Sequence, residues 1–159
     1  MIRRVSVAVA LAAATAGCFG GGEPLTATGA GSPRVTVDFP TSAPPGSVQE
    51  ATFEVVNPGP RDMSGVAVSF ARVGNDFPIV DVVAGNGDPA VVEVSPEPVS
   101  VDRAGTTYRF GALDEGEGMQ ISFLLRLPDR RGVVANSVTV SAAEDLSRIY
   151  GVRLQTEIR

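Results

Sequence analysis

The sequence predicts an all-β fold, an antiparallel β-sandwich of seven to nine short strands. Apolar residues alternate with polar ones in several runs, which is the period of strands with one buried face. Eighteen Gly and twelve Pro supply turns about every 8–15 residues, a spacing typical of a sandwich. The chain is 43% apolar and 6% aromatic with no Trp, so we expect a core of Val, Ala, Leu and Ile.

The most regular stretch covers residues 118–142. Its first half places five apolar residues on one face: Met119, Ile121, Phe123, Leu125 and Leu127. After a turn at 128–132, the second half does the same with Val134, Asn136, Val138, Val140 and Ala142. Two alternating runs joined by a five-residue turn predict a β-hairpin.

The other predicted strands are shorter. Alternation places them at 34–39, 50–55, 66–70, 91–94, 99–101, 106–110 and 150–158. Residues 72–90 are less regular, with an apolar run at 79–83 and a turn at 85–88. The inward positions of these strands include Phe53, Phe70, Tyr108 and Phe110.

Four short motifs follow one another along the predicted domain. They are Asn57-Pro58-Gly59-Pro60, Tyr108-Arg109-Phe110-Gly111-Ala112-Leu113, Gly116-Glu117 and Asn136-Ser137-Val138-Thr139-Val140. In this order they resemble the conserved-repeat Ig-like domain of prokaryotic surface proteins, known as domain of unknown function eleven. The resemblance covers residues 34–159 and implies an Ig-like sandwich that serves as a surface spacer, stalk or adhesive module, with no known active site.

The N-terminus has the composition of an export signal. Arg3 and Arg4 precede an apolar stretch at 5–16, which is too short to span a membrane as a helix. The segment Thr15-Ala16-Gly17-Cys18 then resembles the lipobox of bacterial lipoproteins. This resemblance implies that residues 1–17 are a signal peptide cut between Gly17 and Cys18, and that Cys18 carries a lipid. The alternative is an ordinary secretory leader followed by an incidental thiol.

Residues 18–33 connect this anchor to the predicted domain. They are mostly Gly, Ala, Thr, Ser and Pro without periodicity, which predicts a flexible tether with a span of roughly 20 Å. We therefore expect the domain at 34–159 to sit close to its membrane. Because Cys18 is the single Cys, no disulfide can form within the chain.

The charged residues exclude several classes of function. The formal net charge is −5 and all thirteen basic residues are Arg without a basic patch, so nucleic acid is not an expected partner. There is no His, which excludes the common nucleophilic triads and His metal sites. The acids fall mainly in turns or on outward strand positions, so we expect no enzyme and no small-molecule substrate.

Two acidic clusters flank the predicted hairpin. Asp114, Glu115 and Glu117 precede it, and Glu144 and Asp145 follow it. Because a hairpin brings its start and end together, both clusters should lie at one end of the sandwich. Carboxylate oxygens in loops are typical ligands of calcium, so these five residues are a candidate calcium site. The alternative is a pair of solvated turns.

Two further features have alternative interpretations. Asn136 lies on the apolar face of its strand and either contacts a ligand or, as we favour, ties a neighbouring loop, because a buried amide must find hydrogen-bond partners. Arg130 and Arg131 in the turn either contact lipid headgroups or an acidic partner, or are solvated.

Together these observations predict an exported lipoprotein anchored to the cell membrane or the outer membrane. Its Ig-like domain is expected to be a structural or protein-interaction module, with another envelope or membrane protein as partner. The alternative is a calcium- or glycan-binding surface module of the adhesin type. The scarcity of aromatic residues argues against the glycan-binding form of this alternative.

Overall fold

The computed structural model describes residues 22–28, 31–72, 77–80, 90–104, 106–143 and 145–159. The predictions for the leader at 1–17, the cleavage between Gly17 and Cys18, the turn at 85–88 and Glu144 lie outside these residues. The described part contains eleven strands and no helix. They are β1 (Gly22–Thr28), β2 (Arg34–Asp38), β3 (Ser42–Ala43), β4 (Val48–Val56), β5 (Val66–Arg72), β6 (Val91–Ser95), β7 (Ser100–Val101), β8 (Thr107–Phe110), β9 (Gly118–Arg126), β10 (Gly132–Ala142) and β11 (Asp145–Ile158).

The strands form two sheets that enclose one core. The first has the order β1-β11-β10-β5-β8-β7, with β3 added in parallel at the end of β11. The second has the order β2-β4-β9-β6 and is antiparallel throughout. The predicted all-β, Ig-like sandwich is therefore confirmed. The described strands outnumber the seven to nine predicted, because β1 and the two-residue β3 lie in segments without alternation.

The stretch at 118–142 is not a hairpin, contrary to the prediction. Strand β9 pairs with β4 and β6, whereas β10 pairs with β11 and β5 in the other sheet. Residues 127–131 are thus an arch that crosses from one sheet to the other. The two apolar faces lie opposite each other across the core, so each strand alternates as it would in a hairpin. Alternation reports which face is buried and not which strand is the neighbour.

Part of the predicted tether belongs to the sandwich. Strand β1 pairs antiparallel with β11, from Gly22 opposite Leu154 to Thr28 opposite Ile149, with an irregularity between Pro24 and Thr26. The flexible tether predicted at 18–33 is therefore incorrect for residues 22–28. Strand β11 offers an unpaired edge there, and backbone hydrogen bonds satisfy that edge whatever the side chains of the added strand.

Aromatic side chains from both sheets meet in the core, as the alternation predicts. Phe123 of β9 packs edge-to-face with Phe70, Tyr108 and Phe53, at centroid distances of 5.1, 5.1 and 5.7 Å. Since Phe70 and Tyr108 belong to the opposite sheet, these contacts fix how the two sheets face each other. Burial raises the pKa of Tyr108 to about 12, and the charge of Asp102 adds to this effect.

The sandwich has two ends, which we name by their loops. The lower end carries the arch at 127–131, the start of β10 and the last residues of β11. The upper end carries the β4–β5 loop at 57–65, the β8–β9 loop at 111–117 and the turn between β10 and β11. Both predicted acidic clusters adjoin the upper end, because β9 begins there and β10 ends there.

Candidate functional site

The loops of the upper end are joined by one buried amide, that of Asn57. Its Nδ2 donates to the carbonyl oxygens of Arg61, Leu113 and Asp114 at 3.0, 3.0 and 3.2 Å. Its Oδ1 accepts from the backbone N–H of Gly59 at 3.1 Å. Because Asn57 is fully buried, these bonds satisfy groups that water cannot reach. The motif Asn57-Pro58-Gly59-Pro60, which directly follows β4, therefore connects the β4–β5 and β8–β9 loops.

A buried guanidinium completes this upper-end network. Arg148 of β11 is only 4% exposed, and each of its three nitrogens donates a hydrogen bond. The acceptors are the carbonyl oxygens of Gly31 (2.7 Å), Arg61 (3.2 Å) and Asp62 (3.3 Å) and the Oδ1 of Asn57 (3.2 Å). All four are uncharged, so Arg148 connects the β1–β2 and β4–β5 loops to β11 through its geometry and not through a hydrogen bond to a carboxylate.

Glycine is required where these loops approach each other. Gly59 has φ +78°, and a Cβ there would lie 2.6 Å from Oε1 of Glu115. Gly31 has φ +77°, and its Cβ would lie 2.6 Å from the carbonyl oxygen of Gly59. A side chain at either position would meet a neighbouring group as well as an unfavourable backbone conformation. The upper end is therefore a close-packed junction and not a set of independent loops.

The acids proposed as a calcium site act locally in these loops. Glu117 accepts a hydrogen bond from the backbone N–H of Asp114 at 3.1 Å, and Asp62 accepts one from the N–H of Glu115 at 3.0 Å. Hydrogen bonds from the side chain and backbone of Ser147 lower the pKa of Asp145, as do the charges of Arg61 and Arg148. The sequence prediction did not include Asp62 or the two arginines.

Within the described ranges, no group of three or more His, Cys, Asp or Glu side chains has an arrangement suited to a metal ion. Glu144 of the candidate set lies outside those ranges. A shallow depression of about 200 Å³ opens beside Arg148, lined also by Arg61, Asp62, Ser64 and Asp145. Its wall holds two cations and two carboxylates, so it has no excess of negative charge that would favour a metal ion. Calcium at the upper end stays a prediction.

Asn136 is the second buried amide, and it holds the neighbouring segment at 77–80 by hydrogen bonds. This is the interpretation that we favour from the sequence. It is fully buried; its Oδ1 accepts from the N–H groups of Ile79 (2.8 Å) and Val80 (3.0 Å). Its Nδ2 donates to the carbonyl oxygens of Val80 (2.9 Å) and Ala71 (3.1 Å). The full hydrogen-bonding capacity of the amide is used within the protein, so it is a structural group and not a ligand contact.

An exposed apolar surface lies along one side of the sandwich. Strand β6 is the edge of the second sheet and β7 the edge of the first, and residues 96–99 connect them. Val92, Val99 and Val101 on this side are 47%, 77% and 45% exposed. We call this surface the valine edge. The sequence analysis assigned these residues to strands only, because alternation alone does not show where a sheet ends.

The remaining concave surfaces are open. A groove of about 530 Å³ crosses the outer face of the second sheet and is lined by Thr36, Asp38, Thr52, Glu54, Gly118, Met119 and Gln120. This lining contains no aromatic ring on which a sugar would stack. No helix in the described part of the chain is long and apolar enough to cross a membrane.

Comparison with solved structures gives several similar chains. The chain is similar to the ASH/PapD-like domain of human CEP192 (PapD-like domain 7), with 21% sequence identity and a TM-score of 0.41. The alignment covers 99% of this chain and 96% of that one. The pairing of the strands in two facing sheets establishes the sandwich.

No model of a protein family matches the chain. No curated protein matches it either. The resemblance to the conserved-repeat Ig-like domain therefore stays a prediction.

Proposed function

We propose that the protein is an exported lipoprotein whose Ig-like domain is a structural and protein-interaction module of the cell envelope. The observation that carries the interaction is the valine edge, where Val99 is 77% exposed. Exposed apolar residues gathered on one side of a domain are typical of contact surfaces. Glu93 and Glu97 on the same segment are exposed as well and give this surface a polar border.

The anchoring part of the proposal is supported by the sequence. Cys18 follows an apolar segment and small residues, and it is the only thiol of the chain. Each buried methylene of an acyl chain contributes about 0.8 kcal/mol, so two or more chains on one Cys hold a domain stably at a bilayer. The partner is then expected in the same envelope, as a membrane or surface protein.

Replacing the anchor residue tests the first part. Cys18→Ser is expected to move the protein from the membrane fraction to the soluble fraction as unlipidated material. Fractionation followed by intact mass measurement reports this, since the wild-type protein should begin at Cys18 and carry acyl mass. Gly20→Ser is the matched control and should stay in the membrane fraction. Equal membrane retention of Cys18→Ser and the wild type would show that Cys18 is not the anchor.

A charge on the valine edge tests the second part. Val99→Glu is expected to remove the protein cross-links formed in native membranes, because a carboxylate in an apolar interface must be desolvated. Thr36→Glu is the control, since Thr36 is also exposed but lies on β2, the opposite edge of the second sheet, and away from the lower end. Mass spectrometry of the cross-linked material identifies the partner. The same partner recovered equally with both variants would exclude the valine edge, and only free monomer with the wild type would contradict an interaction module.

A further inference from the structure

We infer that the lower end of the sandwich is a membrane-contact surface that rests on anionic lipid headgroups. This inference rests on the lipid anchor proposed above and adds to it which part of the domain meets the bilayer. Three observations support it: where the chain enters the sandwich, the exposed apolar side chains at that end, and the sign of its charges.

The entry point of the chain fixes the end that lies nearest the anchor. Strand β1 begins at Gly22, opposite Leu154, and runs toward the upper end as far as Thr28, opposite Ile149, so its N-terminal end faces the lower end. Four residue steps separate Cys18 from Gly22, and they span at most about 14 Å. The upper end lies about 30 Å above the level of Gly22, since nine residues of β11 separate Leu154 from Asp145. An acylated Cys18 therefore holds the lower end, and not the upper end, at the lipid.

The lower end exposes apolar groups next to cations. Phe77 is 53% exposed and lies beside Val134, and the guanidinium of Arg130 stacks on its ring at 3.1 Å from the centroid. Val133 at the start of β10 is 44% exposed. An open hollow of about 680 Å³ nearby is lined mainly by apolar residues, including Pro45, Pro78 and Leu127. A ring with a cation on its face suits the boundary between headgroups and acyl chains, where apolar and polar groups meet.

The charge of this end is opposite to that of the whole chain. The described and exposed charged side chains from the end of β9 through the arch, and at the end of β11, are the four cations Arg126, Arg130, Arg131 and Arg159 and the two carboxylates Asp129 and Glu157. Glu50 and Glu93 lie two residues farther up, level with Leu124. Glu157 lies 3.9 Å from Arg159. The formal net charge of the full chain is −5, and the upper end carries, in its loops and at the start of β11, the five carboxylates Asp62, Asp114, Glu115, Glu117 and Asp145 against the two cations Arg61 and Arg148. On an anionic bilayer this distribution attracts the lower end and repels the upper one.

Tryptophan quenching tests the orientation, because the natural chain has no Trp. The lipidated protein carrying Phe77→Trp is reconstituted into phosphatidylcholine–phosphatidylglycerol vesicles that contain lipids brominated near the headgroup end of the acyl chains. Val133→Trp is a second lower-end probe in case the first variant does not fold. Val99→Trp is the control. The backbone N–H of Val99 donates to the carbonyl oxygen of Arg109, and Arg109 lies level with Ser141 of β10. Position 99 is therefore about 23 Å above the level of Phe77, which lies opposite Val134.

We expect the lower-end tryptophans to lose at least half of their emission, more strongly with phosphatidylglycerol than without it, while Trp at position 99 loses little. Equal and weak quenching at all positions in protein that floats with the vesicles would overturn this inference and leave the anchor intact. Protein that does not float with the vesicles and carries no acyl mass would overturn both.

Discussion

Arg148→Met is expected to lower the free energy of unfolding by about 3 kcal/mol, the largest effect of a single change at the upper end. Methionine fills much of the volume but donates no hydrogen bond. The carbonyl oxygens of Gly31, Arg61 and Asp62 and the Oδ1 of Asn57 then lose a donor. The Oδ1 of Asn57 keeps its bond from Gly59, and the carbonyl oxygen of Arg61 keeps its bond from Asn57, so the loss falls mainly on the carbonyl oxygens of Gly31 and Asp62. A buried acceptor left unsatisfied costs about 1–3 kcal/mol, and water from the neighbouring depression recovers part of this. Urea denaturation of the mature protein measures the change.

A buried cation is expensive to desolvate, so removing one is not always destabilising. Here the acceptors stay behind in fixed loop positions, which is why the loss outweighs the gain. Arg109→Met is the matched control, since Arg109 is exposed on β8, and it should change stability by less than about 0.5 kcal/mol. Arg148→Lys should lie between the two, because one ammonium cannot reach all four acceptors on the two loops. If Arg148→Met and Arg109→Met have the same free energy of unfolding, the network around Arg148 does not stabilise the protein.

The upper-end network also shows why an amide, and not a carboxylate, occupies position 57. Asn57 donates to three carbonyl oxygens and at the same time accepts from Arg148. A carboxylate would improve the contact with the guanidinium but would place negative charge against those three oxygens. The side chain at position 57 must therefore both donate and accept hydrogen bonds, which an amide can do and a carboxylate cannot. This requirement links the strand-ending motif at 57–60 to the loop at 111–117.

The sequence could have predicted that Arg148 is buried, but not which groups it contacts. In the last strand the buried side chains fall on even positions, at Val152, Leu154 and Ile158, and Arg148 is in phase with them. Extending the predicted strand at 150–158 by two residues would have placed an arginine on the buried face. Its acceptors belong to loops that are between 86 and 117 residues away in sequence, and no local pattern reports contacts of that kind.

Strand positions followed from the sequence more reliably than strand neighbours did. The inward faces of β4, β8, β9 and β10 match the alternation, with Phe53, Phe110, Phe123 and Val138 all buried. The arch at 127–131 was interpreted as a hairpin because both structures require the same alternation. Strand β1 could not be predicted, because its sequence has no alternation. Its pairing depends on the free edge of β11. The valine edge could not be predicted either, because only the sheet order shows that β6 and β7 are edge strands.

Asn136→Leu is the second change with a large expected effect, again about 3 kcal/mol in the free energy of unfolding. Leucine resembles asparagine in size but leaves the N–H groups of Ile79 and Val80 and the carbonyl oxygens of Ala71 and Val80 without their partner. Residues 77–80 lie against β10, where Phe77 is bridged to Val134. The segment is thus held by one amide, a short bridge and the burial of Ile79 and Val80 in the core.

A local measurement separates this role from a general loss of packing. Amide hydrogen exchange at Ile79 and Val80 should accelerate in Asn136→Leu well beyond the acceleration seen in β4 and β9, because the segment can open without unfolding the sheets. Ser137→Ala is the control; Ser137 is the next residue along β10, is only partly buried, and should leave both exchange and stability nearly unchanged. Uniform acceleration across all strands would mean that Asn136 stabilises the core as a whole. Since Ile79 and Val80 are 3% and 4% exposed, selective opening would also uncover apolar surface at the lower end, next to Phe77, where the domain is inferred to meet the membrane.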